Sequence, residues 1–159
     1  MIRVGSGFDA HRFSDGRKLM IGGVEIPNAK GLRGHSDADV LLHALADALL
    51  GAAGLDDIGT HFSDSDKKWK DASSAMFIRE IRTMLTKKRW KIVNADLTII
   101  SEAPKISPHR AKIKKSVAEL LGIPGSAINV KATSTDQMGA TGRGEGIAAH
   151  AIVLIERKR

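Results

Sequence analysis

Residues 39–53, DVLLHALADALLGAA, constrain this chain more than any other stretch. Leu and Ala dominate it, and it is long enough for about four turns of helix at 3.6 residues per turn. Its apolar side chains run nearly all the way round instead of forming one stripe. Such a helix belongs deep inside a fold. The polar exceptions are Asp39, His43 and Asp47. They fall at i, i+4 and i+8, a single line along the helix, so this line is expected to meet something polar.

The segments around this helix alternate in type. IRVGSGFDAHRF (2–13) reads as an extended segment, and KLMIGGVEIP (18–27) as a hairpin turning on Gly-Gly. Residues 28–38 form a loop. Residues 54–74 are polar and aperiodic, and a loop of that length in a compact domain is usually functional or disordered. Residues 60–72 within it, which carry Phe62 and Trp69, are expected to act as a lid over a ligand. A helix follows at about 73–87 and a strand at 90–101. ISPHRAKIKKSVAELLG (106–122) reads as a helix with Ser107 as N-cap, Pro108 in the first helical position and Gly122 as C-cap. A strand at 127–135, a Gly-rich turn at 138–146 and a last strand at 147–157 complete the chain. No repeat or linker divides it, so residues 1–159 are expected to form a single domain. The fold class is α/β (α+β): one mixed β-sheet with helices on one face.

The chain has 159 residues and 42% hydrophobic residues, enough for a core that needs no disulfide or metal to fold. It has no cysteine, so a transition metal must bind through His, Asp or Glu. The formal net charge of +7 suits phosphate, nucleotide or nucleic-acid partners. Much of it is local, in KKR (87–89), the 105–115 stretch and RKR (157–159), where solvated helix faces and a basic tail are the favoured reading. Aromatic residues make up only 4%, which argues against a base-stacking surface. No apolar run approaches the ~20 residues that cross a bilayer, and no signal pattern opens the chain. The expectation is a cytoplasmic protein, or a mature form with a presequence removed.

GFDAHRF (7–13) holds the clearest chemical signal. Residues i and i+2 of a strand share a face, so Asp9 and His11 can converge on one point. Both are ligands for Zn²⁺ and similar ions. With His43 they would make an Asp-His-His set with an open fourth position, the composition of a catalytic zinc site. Asp47, one turn beyond His43, could then orient a ring. A satisfied core histidine remains the alternative for His43. GHSDAD (34–39) sets His35 and Ser36 before a helix start, which suits an anion. An ordinary cap by Ser36, Asp37 or Asp39 suits it as well. KATSTD (131–136) offers Lys131, three hydroxyls and Asp136 for phosphate or a hard cation. It also reads as a plain polar strand end. TGRGEG (141–146) lacks the Lys-Ser/Thr ending of a phosphate loop.

Five motifs run in order through the chain: GSGFDAHRF (5–13), IGGVEIP (21–27), HSDADVLLHALADALLGAAGLDDIGTHFSDSD (35–66), TIISEAPKISPH (98–109) and NVKATSTDQMGATGRGEGIAAHA (129–151). Together they closely resemble the 2-C-methyl-D-erythritol 2,4-cyclodiphosphate synthases of the non-mevalonate isoprenoid pathway, over about residues 1–156. The resemblance implies a lyase in which the 2-phosphate of 4-diphosphocytidyl-2-C-methyl-D-erythritol 2-phosphate attacks the β-phosphate, giving the cyclic diphosphate and CMP. It implies a homotrimer around a central axis with active sites between subunits, and no nucleic-acid or membrane partner. An association of this kind fits the strand GIAAHAIVLI (146–155), which is apolar on both faces.

The family's site residues carry over as follows. Asp9, His11 and His43 would hold Zn²⁺. His35 and Ser36 would contact phosphate, with His35 and Ser134 in catalytic, charge-stabilising roles. Asp57, Ile58 and Gly59 would hold the methylerythritol hydroxyls, under a loop of Phe62, Ser63, Asp64, Ser65 and Asp66. Ser101, Ala103, Pro104, Lys105, Ile106 and Ser107 would form the cytosine pocket. Thr133, Ser134, Thr135 and Asp136 would bind the CDP phosphates, with Asp136 also holding Mg²⁺ or Mn²⁺, and Arg143 would be a further substrate contact. The chain departs from the family pattern at Ser134, where Thr is usual, at Asp136, where Glu is usual, and at Ser107, Ala140 and His150. Two rival readings make distinct predictions. A phosphohydrolase using the same metal ligands would release inorganic phosphate. A nucleic-acid-binding domain would show strongly salt-dependent binding that survives loss of His43.

Overall fold

A computed structural model describes residues 1–157; Lys158 and Arg159 of the basic C-terminal run lie outside the described residues. The elements are β1 (Ile2–Ser14), β2 (Leu19–Ile21), β3 (Val24–Ile26), β4 (Gly31–Leu32), α1 (Val40–Ala53), α2 (Ile58–His61), α3 (Ser74–Lys87), β5 (Trp90–Ile100), α4 (Arg110–Leu121), β6 (Ile128–Thr133), α5 (Gly139–Gly142) and β7 (Gly146–Arg157). Five strands form one sheet in the order β4-β1-β7-β5-β6, and β2 with β3 forms a separate hairpin. The β5–β6 pair is parallel and the other pairs are antiparallel, so the sheet is mixed.

α1 lies on β1 and β7, α3 meets α1 and β5, and α4 meets β6, so one face of the sheet is covered by helices. Burial alternates along β1 in consequence. Gly5 and Gly7 face the helices and are buried, while Ile2, Val4 and Phe8 on the other face are 65%, 64% and 60% exposed. Ile152 on β7 joins them on that open face.

Two glycines set how closely α1 can sit. A Cβ on Gly5 would stand 1.9 Å from the Ala48 carbonyl oxygen, and one on Gly7 would stand 2.0 Å from that of Ala44. Backbone therefore packs on backbone, with Ala44, Ala48 and Ala52 as the small residues of the seam. Two residues of strand advance about 6.8 Å and four of helix about 6.0 Å, so the two repeats stay in step. Gly5 meets Ala48, Gly7 meets Ala44, and the next step brings Asp9 and His11 beside the N-terminal turn of α1, where His43 lies.

Several sequence expectations need correction. The Asp39, His43 and Asp47 line meets polar groups as expected, but a different set at each residue. Asp39 is wholly buried as the N-cap of α1, accepting from Leu42 N–H and from both amides of the Gly22-Gly23 turn. Those two glycines have φ of 62° and 76°, the left-handed conformation of a tight hairpin turn, which aims both N–H groups at the carboxylate. Burial pushes the Asp39 carboxyl up. Asp47 accepts the Ile58 N–H at 2.8 Å and so holds the start of α2. Ser107 does not cap a helix. Ile106 is already helical (φ −86°, ψ −27°), so Ser107 falls inside a 3₁₀ turn, Ser107–His109, that leads into α4. The strand expected at 127–135 is shorter because Gly125–Ala127 forms another 3₁₀ turn, and the Gly-rich turn contains the single helical turn α5.

Candidate active site

β1 and α1 bring three side chains to one point. Asp9 Oδ2 lies 2.7 Å from His11 Nε2 and 3.2 Å from His43 Nδ1, and the two ring nitrogens are 3.1 Å apart. Among the described residues these are the one group of three or more His, Asp or Glu with converging donor atoms. Ligands about 2.0–2.1 Å from a tetrahedral Zn²⁺ would be about 3.3 Å apart, so the spacing fits an ion after a small opening of the site. Three electron-rich atoms this close repel one another unless a proton or cation lies between them. Burial raises the Asp9 carboxyl, but the adjoining His11 and His43 rings outweigh it and hold it well below the carboxylate range. Burial depresses His11, and Asp9 more than restores it, so the ring is more basic than usual.

The outer faces of both rings are also engaged. His11 Nδ1 lies 2.7 Å from the Arg33 carbonyl oxygen. His43 Nε2 lies 2.9 Å from Ser74 Oγ and 3.2 Å from Ser36 Oγ. The expected role of Asp47 in orienting His43 is therefore filled by two serines. Behind Ser74 stands Asp37, which accepts its N–H and hydroxyl. Arg17 donates to the carbonyls of Gly34 and Ser36 and so pins the loop that carries His35 and Ser36.

Asp9, His11 and His43 open onto a cleft of about 380 Å³. Its wall includes Asp9, His11, His35, Ser36, His43, Ile58, Gly59, Phe62, Ser63 and Asp64. Asp57 and Asp66 sit beside it with their carboxylates engaged locally. Asp57 caps α2 through Thr60, and Asp66 caps the 3₁₀ turn Lys67–Trp69. Ser65 shares a hydroxyl contact with Ser63. Phe62 and Trp69 line the cleft and are buried. Phe62 stacks on Phe77 at 4.7 Å and Trp69 meets both rings edge-on, which ties 62–69 to α3. The start of α1 is closed by Asp39, so the cap reading of GHSDAD holds for the helix itself.

The other expected site residues gather elsewhere. Ser101 follows β5 and its N–H donates to the Thr133 carbonyl. Glu102 Oε1 accepts the N–H groups of Thr135 and Gln137. Segment 101–107 and segment 133–136 are thus joined at the ends of the parallel pair, with Ser134 Oγ receiving the Asp136 N–H. Asp136 is not part of the three-residue cluster. Arg143, just past α5, is paired with Glu145 at 2.7 Å. Asp37, Ser74 and Arg17 are the site-supporting residues that sequence reasoning missed; Asp37 was weighed only as a cap.

The family model described as the YgbB family matches residues 2–156. The chain belongs to that family. Within it, the chain is 57% identical over 157 residues to the 2-C-methyl-D-erythritol 2,4-cyclodiphosphate synthase of Methylobacillus flagellatus, covering 99% of this chain and 98% of that one. The fold matches a solved structure of the bifunctional IspDF from Campylobacter jejuni with a TM-score of 0.96 at 37% identity, covering 99% of this chain and 43% of that one. It also matches IspF from Plasmodium falciparum in complex with CDP, with a TM-score of 0.87 at 35% identity, covering 99% and 97%. No helix among the described residues is long and apolar enough to cross a membrane.

Proposed function

We infer that this YgbB-family chain is a 2-C-methyl-D-erythritol 2,4-cyclodiphosphate synthase, a lyase of the non-mevalonate isoprenoid pathway. Full-length identity of 57% to a relative of that name carries the assignment, and the Asp9/His11/His43 cluster beside a cleft supports it. The 2-phosphate of 4-diphosphocytidyl-2-C-methyl-D-erythritol 2-phosphate forms a bond to the β-phosphorus. The bond from that phosphorus to the CMP oxygen breaks, and CMP leaves with the electron pair. The attacking phosphate is already anionic, so no general base is required; positioning and charge stabilisation supply the rate. Zn²⁺ held by Asp9, His11 and His43 would supply Lewis acidity at a phosphate oxygen.

The chain's own residues divide the remaining work. His35 and Ser36 donate hydrogen bonds to phosphate in the cleft, with Asp57, Ile58, Gly59 and the 62–66 loop around the methylerythritol. Thr133, Ser134 and Thr135 receive the CDP phosphates, Asp136 would hold Mg²⁺ or Mn²⁺ to neutralise their charge, and residues 101–107 read the cytosine through backbone groups. A cytidine ligand is supported by the CDP complex of the Plasmodium falciparum relative. The register Ala10–Ala148–Ile100–Thr133 runs straight across the sheet, so the two groups of residues are three strands apart on one chain. At 4.7–4.9 Å per strand that is about 14 Å. This separation and the exposed Ile2, Val4, Phe8 and Ile152 support a homotrimer, open sheet faces inward, in which neighbouring copies complete each site. A water-soluble nucleotide substrate agrees with a cytoplasmic setting.

³¹P NMR of the substrate incubated with the protein, Zn²⁺ and Mg²⁺ tests the assignment. Equimolar CMP and cyclic diphosphate is the expected result. Release of inorganic phosphate in their place would make the chain a phosphohydrolase and overturn it.

A further inference from the structure

Ser74 is fully buried and opens α3, yet it does not cap that helix; the preceding Ser73 does, accepting the Ala75 N–H. The Ser74 hydroxyl is directed instead at Asp37 and His43. We propose that Ser74, held by Asp37, is a positioning residue that fixes the tautomer of His43 and so presents its Nδ1 lone pair to the metal. The proposal rests on the metal-centre reading given above.

The direction of each hydrogen bond follows from what the groups can donate. Asp37 Oδ1 receives the Asp39 N–H at 3.2 Å and Oδ2 receives the Ser74 N–H at 3.1 Å, so its carboxylate is set as an acceptor. The Ser74 O–H bonded to Oδ1 must therefore be donated to it. A hydroxyl has one hydrogen, so Ser74 Oγ is left only to accept. His43 Nε2, 2.9 Å away, is the nearer donor to that Oγ; Ser36 Oγ, 3.2 Å from Nε2, accepts the Ala38 N–H and lies 3.4 Å from Ser74 Oγ, so its own proton has Ser74 as an acceptor. A neutral imidazole protonated at Nε2 has a bare Nδ1, and that atom faces Asp9 and His11. When His11 is neutral, the Arg33 carbonyl keys it in the opposite sense, leaving its Nε2 bare. One ring is thus set by backbone, which no substitution removes. The other depends on two side chains that lie 37 residues apart in sequence.

Two measurements on the protein test this without any turnover. Long-range ¹H–¹⁵N correlation of the histidine rings in the metal-free protein reads the tautomer. Chelator competition reads Zn²⁺ affinity. Wild type should show His43 as the Nε2–H form. Ser74→Ala should mix the two tautomers and bind Zn²⁺ about 10- to 100-fold more weakly, the usual effect of losing a hydrogen-bond partner behind a metal ligand. Ser74→Thr, which keeps the hydroxyl, should restore both. An Nδ1–H form in wild type, or Ser74→Ala binding Zn²⁺ within twofold of wild type, would overturn the proposal. A wild-type protein that binds no Zn²⁺ at all would remove the metal reading itself and this proposal with it. Zn²⁺ binding that is tight yet indifferent to Ser74 would overturn the proposal alone.

Discussion

Gly7→Ala tests whether the close seam between β1 and α1 builds the metal centre. The added Cβ would stand 2.0 Å from the Ala44 carbonyl oxygen, where real Cβ atoms keep at least 3.0 Å. The helix must therefore lift by about 1 Å at that point, since backbone cannot rotate away. Overpacking of this kind costs about 1–3 kcal/mol. At roughly 2–4 °C per kcal/mol for a domain of this size, Tm should fall by about 2–12 °C. His43 is one residue from Ala44, and metal–ligand bonds tolerate only about 0.2 Å. Zn²⁺ affinity should therefore fall by at least about tenfold, on the order of 1.4 kcal/mol. Gly5→Ala is the comparison. Its clash with the Ala48 oxygen is as severe at 1.9 Å, but it lies a helical turn further from His43. It should lose similar stability and less Zn²⁺ affinity. Calorimetric unfolding of the metal-free proteins and chelator competition measure the two effects. Wild-type Tm and wild-type affinity in Gly7→Ala would refute the seam, and equal loss of affinity in both variants would refute its coupling to the site.

Three further outcomes are expected. His43→Ala should lose most of its bound Zn²⁺ and nearly all CMP release while remaining folded; unchanged metal content with a large drop in Tm would identify a core histidine instead. Phe62→Ala removes the ring stacked on Phe77 and frees the 62–69 segment, so KM should rise, and stability should fall by up to about 3–5 kcal/mol, read from steady-state kinetics and urea unfolding. Burial depresses His11 but Asp9 raises it above its ordinary 6.5, so in the metal-free protein the stabilisation from this pair is complete below pH 6.5 and is lost as pH rises through the raised value. Zn²⁺ binding needs His11 neutral and should weaken as pH falls through the raised value, so the Tm of the metal-free protein and its Zn²⁺ affinity should move in opposite directions as pH falls toward 6.5.

How far the site could be read from sequence depended on how local each signal was. Asp9 and His11 were legible because a strand repeats every two residues. His43 was legible because it interrupts an apolar helix. The fold class followed from the order of periodic segments, and the mixed sheet with one helical face is what the structure shows. Asp47 misled, and Asp39 was legible only as one of three candidate caps, because a carboxylate on a helix looks the same whether it faces a metal-bound ring or backbone N–H groups. What separates the two roles is the position of Gly22, Gly23 and Ile58, which the helix alone does not reveal. Ser107 misled because the chain turns helical one residue too early for it to cap. Gly5 and Gly7 gain their meaning only once α1 is known to lie on β1, and Ser74 only once α3 is placed beside His43.

In the proposed function, cyclisation depends on one Zn²⁺ held by Asp9, His11 and His43. Titrating the chelator-stripped protein with Zn²⁺, at fixed Mg²⁺ and saturating 4-diphosphocytidyl-2-C-methyl-D-erythritol 2-phosphate, while recording the rate of CMP release tests it most directly. The rate should climb from near zero and saturate at one Zn²⁺ per chain. Full CMP release by the stripped protein, or a rate that ignores added Zn²⁺, would contradict it.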